Sequence, residues 1–172
     1  GAAVVADETE LGEDARDALV AGLERWAAEA PLLGTPGGDD AIALLDHLGW
    51  SKVHLIGLVG IGACVCQEIS IARPDLARSM VNMGSWAFVD DYLRDQLEMF
   101  RVMHRDSGFY AFQKLVCVLS FLPDYYNAHH SRLLGPDGGW KELNGRFETH
   151  SRLIDACLSH DVRGRLAEVG CP

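Results

Sequence analysis

The chain has 172 residues, 48% of them hydrophobic and 23% charged, with a formal net charge of −10. Its length suits one domain and its apolar content is enough to bury a core. The acidic balance, with no Lys/Arg run, repels nucleic acid and anionic membrane and so argues against both as partners, and a neutral or cationic small molecule fits better. The five cysteines, Cys64, Cys66, Cys117, Cys157 and Cys171, are odd in number, and none stand in a C-x-x-C spacing. They are expected to be reduced and mostly buried in a cytoplasmic protein, with neither metal nor cofactor. The opening "GAAVVADETE" turns acidic too soon for a signal peptide or a membrane span.

In chain order, "AAVVADE" is an apolar, β-prone run ending in acids, as a buried parallel strand does. "GEDARDALVAGLERWAAEAP" spaces Ala15, Leu19, Leu23, Trp26 and Ala30 by three and four, which predicts a helix. "GTPGG" is a linker. "DDAIALLDHLGW" is a second helix, opened by acids and closed by Gly49. A strand at 53–58, a glycine turn, a helix at 61–73 stopped by Pro74 and a strand in "RSMVNMG" follow. Such alternation predicts a parallel sheet with covering helices. After Trp86 it ceases, and residues 88–106, 108–122, 124–134 and 139–160 read as helices, a block with the look of a lid.

The turn "GLVGIG" at 57–62 has three readings. It supplies two glycines of a G-x-G-x-x-G dinucleotide fingerprint, but Val65 stands at the third, and Asn82 is near where a ribose-binding acid belongs. It also suits a close-packed turn with no ligand, or a turn that once carried a nucleophile. Cys64, in the first turn of the following helix, is a candidate substitute nucleophile, because a helix N-terminus lowers a thiol's pKa. The competing reading is a small residue packed against the sheet. Among the histidines, the adjacent His129 and His130 diverge by about 100° on a helix. His150 and His160 face one side of a predicted helix without a carboxylate or cysteine at ligand spacing, so no metal site is expected. Leu58, Trp86, Phe88, Tyr125 and Tyr126 are candidates for an apolar pocket, although half or more of the aromatic and Met content after Trp86 is expected to be core.

Three stretches together resemble the α/β-hydrolase superfamily: "DDAIALLDHLGWSKVHLIG", "ACVCQEISIARPDLARSMVNMGSW" and "HDVRGRLAEVGCP", a likeness that covers about residues 38–172. The resemblance implies an incomplete α/β fold, a short three-layer parallel sheet with covering helices. The core would hold 1–86 and 161–172, and the helical lid 87–160. The family carries G-x-S-x-G at the turn. Counting back from "CQE" puts the serine's position at Gly60; counting forward from "HLIG" puts it at Val59. Neither is a nucleophile. The acid that some members carry after this strand would be Asp90 or Asp91. "AAVVADE" fits beside strand 53–58 on the side away from the next strand, or beyond that next strand, where Asp7 would approach the family's acid position. The Ile61 backbone N–H would face the oxyanion position.

The resemblance therefore implies a truncated or degenerate hydrolase-like protein, without esterase activity alone, that binds a small apolar ligand under the lid. Two alternatives stay open. One is an active enzyme acting on an ester, lactone or C–C bond, completed by missing residues or another chain. The other is a nucleotide-binding or interaction module using the glycine turn. Open sheet edges also predict a homo-oligomer.

Overall fold

A computed structural model describes residues 3–6, 38–58, 60–135 and 138–172. The helix expected around Ala15 to Ala30, and Asp7 and Val59, lie outside the described residues. The chain divides into two compact units: the described residues up to Phe88 with His160–Pro172, and Val89–Ser159.

The first unit is a three-stranded sheet with helices. Strand β1 (Ala3–Ala6) pairs with β2 (Val53–Leu58), which pairs with β3 (Ala77–Met83), in the order β1-β2-β3. The β2–β3 pair is parallel, with Leu55 opposite Met80 and Leu58 opposite Met83. Helix α2 (Ile61–Ala72) connects these two strands. β1 departs from expectation: it lies beside β2, away from β3, but runs antiparallel to it, with Val5 opposite Leu55. A four-residue apolar run carries no directional signal, because either ladder satisfies its backbone. The strand order also removes the alternative slot beyond β3.

Helix α1 (Asp39–Leu48) begins with two acids in its first turn and ends at Gly49, whose φ of 67° is the left-handed conformation of a C-cap. α2 stops at Arg73, before Pro74, as the proline requires. On β2, Val53, Leu55 and Gly57 are buried and the alternate residues half-buried. Val53 and Leu55 pack with Leu45 of α1, with Cys66 and Ile69 of α2, and with Leu76 and Ala77. At the outer edge of β3 the Met80 N–H donates to the Pro172 carbonyl at 2.9 Å.

The second unit is helical: α3 (Asp91–Ser107), α4 (Phe109–Ser120), α5 (Pro123–Ala128), α6 (His130–Leu134) and α7 (Phe147–Leu158), with a 3-10 turn at Lys141–Leu143. Phe109, Phe112, Val116 and Leu143 form its core. Two expected helices are broken. The segment 124–134 divides at His129, and 139–160 shortens to α7 because Trp140 and Gly145 take positive φ of 62° and 73°. α7 also ends before His160, so His150 and His160 do not share a helix; they belong to different units. No helix among the described residues is long and apolar enough to cross a membrane.

Candidate functional site

The turn from β2 to α2 is tight because of its glycines. A Cβ on Gly57 would fall 2.5 Å from the Ala63 Cα and 2.5 Å from the Asn82 Oδ1, so only glycine lets α2 approach the strand this closely. Gly60 is the N-cap of α2, with φ 72° and ψ −118°, a conformation open to glycine and strained for other residues. Its N–H donates to the Gly84 carbonyl at 3.2 Å, which ties the turn to the end of β3, and its carbonyl accepts from Ala63 and Cys64. Ile61 opens the helix, so its N–H has no intrahelical acceptor.

Trp86 stands against this turn: a Cβ on Gly60 would lie 3.2 Å from the Trp86 Cη2. The backbone of Trp86 is held by a buried clasp. Its carbonyl accepts from Gln67 Nε2 at 3.1 Å, and Gln67 Oε1 is 3.0 Å from His160 Nε2. An amide oxygen only accepts, so the His160 proton sits on Nε2. His160 Nδ1 has no hydrogen-bond partner and lies 3.9 Å from Glu68 Oε1, while Glu68 accepts from Arg165 at 3.0 Å. Burial, outweighing the nearby Glu68 and Asp161 carboxylates, pulls the His160 pKa below its ordinary value. Next to the clasp, Phe88 bridges Asp161, the Ala87 carbonyl accepts from Val162, and the Arg163 guanidinium lies 4.0 Å over the Phe88 ring.

The residues singled out from the sequence fall in both units. Leu58, Gly60, Ile61, Trp86 and Phe88 belong to the first unit, with Leu58 half-buried at the end of β2. Cys64 is 1% exposed inside α2, and burial pushes the neighbouring Cys66 thiol up to about 11. Asp90 caps α3, its carboxylate accepting from the Leu93 N–H at 2.9 Å, and Asp91 is an exposed acid of that helix's first turn. Tyr125 stacks on Phe121 and His129, and Tyr126 meets His130 edge-on, all within the helical unit. Val65, in the third-glycine place of a dinucleotide fingerprint, is half-buried in α2. Among the described residues no group of three or more His, Cys, Asp or Glu side chains is arranged to hold a metal. The Gln67–His160 clasp was missed from sequence; its one visible sign is a Gln, followed by Glu68, after the apolar first half of the helix.

No family model matches the chain. It is 23% identical over 131 residues to a protein of Caulobacter vibrioides named for a proposed carbamate hydrolase activity, RutD, covering 76% of this chain and 48% of that one. A protein of the same name from Stutzerimonas stutzeri is 25% identical over 133 residues, covering 77% and 50%. Among solved structures, MGS-M2, an alpha/beta hydrolase enzyme from a Medee basin deep-sea metagenome library, matches with a TM-score of 0.66 and 20% identity, covering 78% of this chain and 50% of that one. A hydrolase from Pseudomonas aeruginosa PA01 matches with a TM-score of 0.64 and 16% identity, covering 80% and 51%. The fold is that of the α/β hydrolases, and the likeness to that superfamily read from the sequence is borne out. The chain spans about half the length of the curated relatives it matches.

Proposed function

We propose that this chain is a hydrolase-fold scaffold that holds a small, neutral, largely apolar carbonyl compound at the turn around Gly60 and does not cleave it unaided. The observation that carries the reading is Gly60 itself: it has the strained backbone that a nucleophile elbow needs, at the N-cap of α2, and no side chain to attack with. Enzyme-bound acyl transfer needs a nucleophilic atom and a base within reach of it. Two of the other candidates are committed elsewhere, since Cys64 is buried and Asp90 is bonded to a helix N-terminus. What the turn still offers is the Ile61 N–H, a donor for a carbonyl oxygen, and the Trp86 ring as an apolar wall. The carbamate in the relatives' name fits this ligand class, because a carbamate presents the same carbonyl oxygen.

The test uses 4-nitrophenyl butyrate. The expected result is no stoichiometric burst of nitrophenolate, with a chemical-shift change at the Ile61 amide on addition. A burst that Cys64→Ala abolishes would replace this reading with a cysteine enzyme.

A second reading is favoured by the span of the match, about half of each relative. In it the chain contributes the turn and Trp86 to an active ester, lactone or C–C hydrolase whose nucleophile, acid and histidine come from other residues or another chain. Light scattering that finds only monomer at micromolar concentration would count against the second-chain form.

A further inference from the structure

The helical unit buries two imidazoles against each other. His104 of α3 and His150 of α7 are 6% and 5% exposed, and their Nδ1 atoms lie 2.8 Å apart. Two nitrogens at that distance share one proton, so one ring is the Nδ1–H tautomer and the other presents a bare Nδ1. From α4, Phe112 stacks on His104 with centroids 5.6 Å apart and lies 4.4 Å from His150, while Phe109 meets His104 edge-on. From α7, Phe147 meets His104 edge-on.

The charge that acts on His150 besides its partner is that of Arg101, on α3, which repels an imidazolium. The α7 groups beside Arg101 are already engaged: it donates to Asp155 at 2.7 Å and to Ser151 at 3.1 Å. A first added proton, at Nε2, would keep the Nδ1–Nδ1 bond but place a cation in an aromatic cage close to Arg101. A second would set two N–H groups head to head and break the bond.

We propose that the His104–His150 pair is an acid-sensitive latch between α3 and α7, which ties the two helices when neutral and releases them when protonated. Burial holds His104 below its ordinary pKa, and burial with the His104 and Arg101 charges takes His150 to about 4. Once the unit opens, both rings protonate near the ordinary value of about 6.5. The open form therefore binds more protons than the closed form, and stability falls as pH drops from about 6.5 toward 4.

The test is hydrogen exchange of the full chain at pH 7.5 and pH 5, corrected for intrinsic rates. Peptides of α3 and α7 are expected to lose protection by about tenfold or more, beyond the smaller loss in β2 and α2 that follows from the single buried His160 of that unit. Equal or absent loss would overturn the proposal. The double substitution His104→Phe with His150→Phe should remove the difference, and its persistence there would also overturn it. Should that variant fail to fold, imidazole ¹⁵N spectra of the unsubstituted protein decide. Complementary tautomers at pH 7.5 support the latch, and two identical Nε2–H tautomers refute it.

Discussion

At the scale of single residues, three glycines of similar appearance in the sequence do different work. Gly49 has φ 67° and open space around its Cβ direction, so alanine there meets only the left-handed backbone, a cost of about 1–2 kcal/mol. Gly60 combines positive φ with the Trp86 ring 3.2 Å from its Cβ direction. Gly57 has neighbours at 2.5 Å, including backbone. Urea unfolding is expected to rank the losses Gly49→Ala, Gly60→Ala, Gly57→Ala in increasing order. The second should cost about 1–3 kcal/mol from strain, plus displacement of Trp86. Equal losses at 49 and 60 would contradict the placement of Trp86. The same glycines explain what sequence could reveal of the site: "GLVGIG" marks a tight turn, and counting leaves two registers, of which Gly60 takes positive φ and Val59 lies outside the described residues. His160 and Gln67 are 93 residues apart, so no spacing could have paired them.

At the scale of elements, local chemistry made most of the fold legible. Acids at 39 and 40 with Gly49 bound α1, the apolar run gives β2, and Pro74 ends α2. What failed was what depends on distant partners or on an unusual φ. The direction of β1 is set by its pairing with β2, and the break before α7 by Trp140 and Gly145. Asp90 shows how a residue singled out by a family resemblance also has a place in an element: as an N-cap, it satisfies an orphan N–H of α3. Asp90→Ala should destabilise the helical unit by about 1 kcal/mol in thermal unfolding. A change in 4-nitrophenyl butyrate turnover without that loss would instead give the carboxylate a chemical role.

At the scale of the whole molecule, the chain combines a parallel β2–β3 core that carries the turn with a helical unit whose interior is built on aromatic rings and a histidine pair. Its acidic charge and its likeness to hydrolases concern different things, since charge limits the kind of partner and the fold positions the place for chemistry. The proposed function needs the turn at Gly60 to keep an elbow's shape without a nucleophile. The most direct test is intact-mass spectrometry after incubation with a fluorophosphonate, which labels an activated serine and marks acyl-transfer competence. The expected result is an unchanged mass for the chain and a single adduct on a serine hydrolase run in parallel; a stoichiometric adduct on this chain would contradict the proposed function.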